Sequence, residues 1–77
     1  MPRASYVFLG RFEPESFAEF VRHRATRLAL EAELRTLRAE RIEVDVTGEE
    51  DLIDMFEMAC SLGPIDCIVL DIQRRPN

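Results

Sequence analysis

The fold is decided where an apolar run gives way to a helical pattern, in the stretch Gly10-Arg11-Phe12-Glu13-Pro14-Glu15-Ser16-Phe17-Ala18-Glu19. Before it, residues 4 to 10 form a short aromatic and β-branched run closed by glycine, which predicts a buried strand. Within it, Ser16 and Glu19 have the S-x-x-E spacing of a capping box, so we expect the first helix to begin there. The stretch is therefore a loop that leads into a helix N-terminus, where free N–H groups and the helix dipole favour an anion.

The residues at this helix start disfavour such an anion. Pro14 has no N–H to donate, and Glu13 and Glu15 bring negative charge to the site. No basic side chain lies among the first helical residues. We therefore predict that this helix N-terminus does not bind a phosphate.

Three further segments have recognisable patterns. Residues 41 to 46 alternate charged and apolar side chains, which is typical of a strand with one wet face. A second helix follows Gly48 and ends at Gly63-Pro64; we expect its buried face to carry Leu52, Met55, Phe56, Ala59 and Cys60. Residues 66 to 72 predict a last strand, with Ile68, Leu70 and Ile72 on one face.

Residues 32 to 38 have two interpretations. Strong helix formers without glycine or proline could extend the first helix to about residue 38. A strand is favoured, because residues 42 to 46 would otherwise lack a partner on one side. The order is then βαββαβ, an α+β architecture with an antiparallel sheet and both helices on one face.

Composition limits the function. The 77 residues carry a net charge of −5, which disfavours nucleic acid as a ligand. No apolar run approaches the ~20 residues that span a bilayer, so we expect no membrane partner and a cytoplasmic location. Two cysteines and one histidine are too few for a disulfide framework or a zinc site, and we expect no cofactor and no metal. We expect one domain over residues 1–77, with a folded core at 3–73 and a solvated tail at 74–77.

The chain resembles the acylphosphatase family from Tyr6 to about Leu62, with a short deletion before the last strand. The family pattern G-R-V-Q-G-V-G-F-R-x-F-V falls in register on residues 10 to 21, and Gly63-Pro64 matches the family's G-P. The resemblance implies a ferredoxin-like sandwich. It also implies hydrolysis of acyl phosphates, in which an arginine and the loop amides hold the phosphate while an asparagine positions the attacking water.

This chain departs from the family at the groups that carry that chemistry. The arginine position is Ala18 and the asparagine position is Thr36, so we expect no catalytic residues. Loop glycines are replaced by proline and serine, which removes the freely turning cradle for phosphate. We interpret the remaining segment as a degenerate phosphate loop, formed by Glu13, Pro14, Glu15, Ser16 and Phe17.

Three functions remain open. The first is a non-catalytic acylphosphatase-like domain that binds another protein or itself; the second is a weak acylphosphatase that uses Arg11 or Arg35; the third is a small-ligand sensor. Arg11 is the candidate for a residual anion contact, with pairing to Glu13 or Glu15 as the alternative. Strand alternation predicts an apolar interface strip for a homodimer, formed by Val7, Leu9, Cys67 and Val69.

Overall fold

The computed structural model describes residues 2 to 76, which form four strands and two helices around one core. The elements are β1 (Arg3–Arg11), α1 (Pro14–Arg27), β2 (Glu31–Leu37), β3 (Arg41–Thr47), α2 (Glu50–Leu62) and β4 (Ile68–Pro76). The strands form a single sheet in the order β2-β3-β1-β4, and each neighbouring pair is antiparallel. The predicted βαββαβ order and ferredoxin-like sandwich are confirmed.

The core lies between the sheet and the two helices. Alternate side chains of β1 and β3 point inward and meet the apolar stripes of both helices, because side chains alternate along a strand and recur every three to four residues along a helix. The largest fully buried members are Tyr6, Phe8, Phe17, Phe56, Ile42, Ile53, Val21, Val44, Val46 and Cys60. Both helices therefore cover one face of the sheet, and the other face is open.

Helix α1 begins three residues before the start that the capping box predicted, in which Ser16 would be the N-cap. Pro14 is the first helical residue and Glu13 is the N-cap, with no side-chain capping bond among the described residues. Proline suits the first helical position because its φ is already helical and its missing N–H would be unpaired there anyway. The capping box predicted at Ser16 and Glu19 is wrong, since the Ser16 hydroxyl donates to Asp66 instead.

Helix α1 ends at Arg27, and residues 31 to 37 form the strand that the sequence favoured. Ala29 adopts a positive φ of 55°, and the Leu30 amide donates to the Ala25 carbonyl at 2.8 Å. This turn brings Leu30 into the core at 7% exposure. Propensity alone favours a longer helix; pairing of β2 with β3 and burial of Leu30 outweigh it.

Residues 74 to 76 belong to β4, so the predicted tail is wrong for these residues; Asn77 lies outside the described residues. Tyr6 and Arg74 are register partners, as are Ser5 and Arg75. Arg74 also binds α2 through Glu50 and Asp54. The C-terminal arginines are thus held by the sheet and, at Arg74, by the helix above it.

A register shift between Leu9 and Gly10 changes which face of β4 is buried. Phe8 pairs with Ile72, but Gly10 pairs with Val69, so Leu70 is the extra residue on the β4 side. The bulge reverses the alternation that the sequence predicted for the first part of the strand. Cys67 and Val69 consequently face the core, whereas Ile68 and Leu70 are 56% and 72% exposed.

Helix α2 ends as predicted, with Gly63 at a φ of 64° before Pro64. Its buried face is rotated from the predicted one, because the buried residues are Ile53, Phe56 and Cys60. Leu52 packs only partly against the core and Met55 is 53% exposed.

Candidate functional site

The loop from β1 to α1 borders a shallow hollow of about 480 Å³. The hairpin turn between β2 and β3 and the segment before β4 close its sides, and its lining is Gly10, Arg11, Phe12, Glu13, Ala39, Glu40, Asp66 and Ile68. One guanidinium faces three carboxylates there, and Glu15 adds a fourth acid in the first turn of α1. The charge around the hollow is therefore unfavourable for a phosphate.

Most of the loop amides that could face an anion already have partners. The Gly10 amide donates to Glu40 O at 3.3 Å, and the Phe12 amide donates to Ala39 O at 2.7 Å. The Glu13 amide donates to Cys67 Sγ at 3.4 Å. Pro14 has no N–H, so the helix start lacks the run of free donors that cradles a phosphate.

A carboxylate of the protein lies beside this helix start. The Ser16 hydroxyl donates to Asp66 Oδ1 at 2.9 Å, across 50 positions of sequence. Its neighbour Cys67 anchors the same segment through Sγ, which accepts from the Glu13 amide. Sequence reasoning missed Asp66, because nothing in the local pattern of residues 64 to 67 places it at the start of α1.

Ala18 and Thr36, which the sequence resemblance matches to an arginine and an asparagine, lie in different surroundings. Ala18 is fully buried, so its methyl group reaches neither solvent nor the hollow. Thr36 pairs in register with Glu43 on the sheet face away from the helices. Hydrogen bonds from Arg41 and from the Thr36 hydroxyl hold the pKa of the Glu43 carboxyl below its usual value. Thr36 therefore lies next to a carboxylate.

The two arginines considered for a residual site are in different surroundings. Arg35 donates to Asp45 Oδ2 at 3.0 Å, so its guanidinium is already paired with a carboxylate. Arg11 lines the hollow with an exposed side chain and forms no ion pair with residues 2–76. The alternative pairing of Arg11 with Glu13 or Glu15 is thus absent from the described structure.

Asp45 is the buried charged residue on the open face of the sheet, with 5% exposure. Arg3 and Arg35 both donate to Asp45 Oδ2 at 3.0 Å. Burial alone would raise the pKa of Asp45, but hydrogen bonds from Ser5, Arg3 and Arg35 hold it below the usual value. This cluster joins β1, β2 and β3, and its two guanidinium groups share one carboxylate.

Neither thiol is suited to nucleophilic chemistry. Burial raises the pKa of Cys60 to about 12, and burial also raises the pKa of Cys67. Since the thiolate is the reactive form, both residues behave as small apolar side chains at neutral pH. His23 is exposed on α1.

The predicted interface strip does not exist as one surface. Val7 is on the open face but only 3% exposed, Leu9 is half-buried, and Cys67 and Val69 point into the core. The exposed apolar side chains lie elsewhere, at Ile65, Ile68 and Leu70 near β4 and at Met55, Met58 and Leu62 on α2. The three residues on α2 are three and four positions apart, which is the spacing of one helical face. Of these three, only Met55 was predicted from the sequence, and it was predicted to lie in the core.

Comparison with solved structures identifies the fold. An acylphosphatase from Bacillus subtilis superposes with a TM-score of 0.91 at 23% identity, over 100% of this chain and 86% of that one. An acylphosphatase from Coxiella burnetii superposes with a TM-score of 0.84 at 23% identity, over 99% of this chain and 81% of that one. Full-length HypF in its phosphate- and nucleotide-bound form gives 0.76 at 24% identity, over 100% of this chain and 10% of HypF.

These neighbours support the family resemblance drawn from the sequence, and the fold is that of the acylphosphatases. No protein-family model and no curated protein sequence matches the chain. Neither helix in residues 2–76 has the length and apolar character needed to cross a bilayer.

Proposed function

We propose that this chain is a non-catalytic acylphosphatase-like domain that acts by binding another protein or a second copy of itself. The observation that carries the proposal is the state of the helix start, where Pro14 removes a donor and Asp66 brings a carboxylate next to Ser16. A dianionic phosphate at this position would meet negative charge and few free amides. Positioning and charge stabilisation, on which phosphoryl chemistry depends, therefore have little support here.

The two replaced family positions support the same conclusion. An alanine at position 18 offers no charge to a phosphate, and Thr36 lies opposite the Glu43 carboxylate in the sheet. Groups that act together in catalysis are non-additive, so losing either the guanidinium or the carboxamide would already remove most of the rate enhancement, and this chain has neither at the matching positions.

A hydrolysis assay on benzoyl phosphate tests the proposal. We expect no turnover by the full chain above the rate in buffer, and the same result for Arg11→Ala. Turnover by the wild-type chain that Arg11→Ala abolishes would overturn the proposal. It would also establish the second candidate, a weak acylphosphatase. That candidate is favoured by the exposed Arg11 guanidinium at the hollow, which forms no ion pair with residues 2–76.

A phosphate titration separates binding from chemistry. Amide chemical shifts of Glu15, Ser16 and Phe17 should stay constant as inorganic phosphate is added to the wild-type chain. Restoring Ala18→Arg together with Thr36→Asn should change little while Pro14 and Asp66 remain. Adding Pro14→Gly and Asp66→Ser to that pair should produce shifts, provided circular dichroism shows that the variant folds.

A further inference from the structure

Helix α2 has a second apolar seam that faces away from the core. Ile53, Phe56 and Cys60 are fully buried, whereas Met55, Met58 and Leu62 are 53%, 72% and 81% exposed. The exposed residues are three and four positions apart, which is the spacing of a helix-packing seam. A contiguous apolar seam on a small domain is typical of an interaction surface.

This seam forms one wall of a groove between the two helices. Phe20 and Arg24 of α1 form the other wall, and the groove has a volume of about 390 Å³. The Arg24 guanidinium lies 5.5 Å from the centre of the Phe20 ring. We call this surface the methionine groove, formed by Phe20, Arg24, Met55, Met58, Ala59 and Leu62. Methionine side chains are flexible and polarisable, so they suit a surface that packs against another helix.

Opposite charges flank the methionine groove. The second half of α1 carries Arg22, Arg24 and Arg27, and none of them forms an ion pair with residues 2–76. The start of α2 carries Glu50 and Asp51, and the helix has no basic residue in its last turn. Asp51 likewise forms no ion pair with any described residue.

The topology arranges these charges for a two-fold axis. Each helix is antiparallel to the strand that precedes it in the chain. Because β1 is antiparallel to β3, α1 and α2 are also antiparallel to each other. The basic end of α1 and the acidic end of α2 therefore lie at the same end of the helix layer. A two-fold axis parallel to the helices places α1 of one copy over α2 of the other and brings those ends together.

Resting on the interaction role proposed above, we propose that the methionine groove binds a second copy of this chain. In this dimer, α1 of each copy lies across α2 of the other, Met55, Met58 and Leu62 are buried, and Arg27 faces Asp51 of the other copy. The interface is isologous, so each contact occurs twice. The described body measures 30 × 22 × 18 Å, so burying about 800 Å² per partner engages most of one broad face.

Sedimentation equilibrium of the full chain tests this pairing. We expect a mass of two chains at high micromolar concentration, and a dissociation constant raised about tenfold or more by Met58→Glu. Leu70→Glu is the matched control, because Leu70 is also 72% exposed but lies on β4. It should leave the mass unchanged. Thermal unfolding of each variant monitors folding.

Charge exchange tests the predicted partner residues. Arg27→Asp and Asp51→Arg should each weaken the dimer, and the two changes together should restore it. A wild-type monomer at all concentrations, or a dimer that Leu70→Glu disrupts and Met58→Glu does not, would overturn the pairing. The hydrolysis assay is independent of these outcomes, so the non-catalytic role and this dimer can fail separately.

Discussion

The Ser16 hydroxyl donates to the Asp66 carboxylate at 2.9 Å, and this contact places a negative charge of the protein at the start of α1. In an anion-binding helix start, the free amides and the positive end of the dipole face a ligand. Here a carboxylate from the segment before β4 lies beside the helix start. The preference of a helix N-terminus for negative charge is therefore met by Asp66 of the chain itself.

Asp66→Ala should lower the free energy of unfolding by about 0.5–1 kcal/mol, because α1 loses a carboxylate near the positive end of its dipole. Ser16→Ala is the control, since it removes the hydrogen bond and leaves the charge. Urea denaturation of both variants measures the difference. An equal loss for the two would show that the hydrogen bond, rather than the charge, stabilises the contact.

Asp45 should make stability depend on acid pH. Its pKa is lower in the folded chain than the ordinary value of 3.8, so its contribution is complete above that value and is lost as the pH falls through the folded pKa. Asp45→Asn should cost about 1–2 kcal/mol at pH 7, a small figure because the Arg3 and Arg35 side chains are 49% and 60% exposed.

The Asp45→Asn variant should also lose less stability between pH 5 and pH 2 than the wild-type chain. Denaturant midpoints measured at several pH values check this. Parallel acid profiles for the two proteins would contradict the assignment of this pH dependence to Asp45.

Arg74→Ala should destabilise the chain by about 1–2 kcal/mol, more than Arg75→Ala in the same strand. Arg74 binds Glu50 and Asp54 of α2 and lies 5.7 Å from the Tyr6 ring centre, whereas Arg75 is exposed. Hydrogen bonding to Asp54 raises the pKa of Arg74 further. Thermal melts of the two variants test whether β4 is anchored to α2 through this residue; equal melting temperatures would argue against it.

Gly10→Ala should be the most damaging glycine substitution. A Cβ at Gly10 would lie 2.0 Å from the backbone oxygen of Ile68, and neither strand can move without disturbing the bulge. Gly48→Ala would instead meet the flexible end of Leu30 at 2.3 Å, which can shift. We expect a cost of about 3 kcal/mol or more for Gly10→Ala and less for Gly48→Ala, measured by denaturant unfolding.

Both thiols should react slowly in the folded chain. Burial raises the pKa of Cys60 to about 12, so almost no thiolate is present at pH 8. Labelling with a thiol-specific disulfide reagent should be slow in buffer and should consume two thiols quickly in denaturant. Fast native labelling that Cys67→Ser removes would place Cys67 in a more open environment than its 7% exposure indicates.

Local pattern alone determined the strands at residues 4 to 10 and 41 to 46 and the end of α2 at Gly63-Pro64. These features depend on alternation, helical spacing or residue identity, which are properties of neighbouring residues. The βαββαβ order followed from them, because a sheet strand needs partners and an amphipathic helix needs a surface to cover.

Tertiary structure decided what depends on contacts between distant residues. The bulge opposite Leu9 and Gly10 turned Cys67 and Val69 inward, and no pattern within β4 signals that shift. A contact with Ser16, 50 positions away in the sequence, placed Asp66 at the start of α1. A contact with Asp54, 20 positions away, placed Arg74 on α2. A sequence records which groups are present, but only packing determines which of them meet and which apolar seam is left exposed.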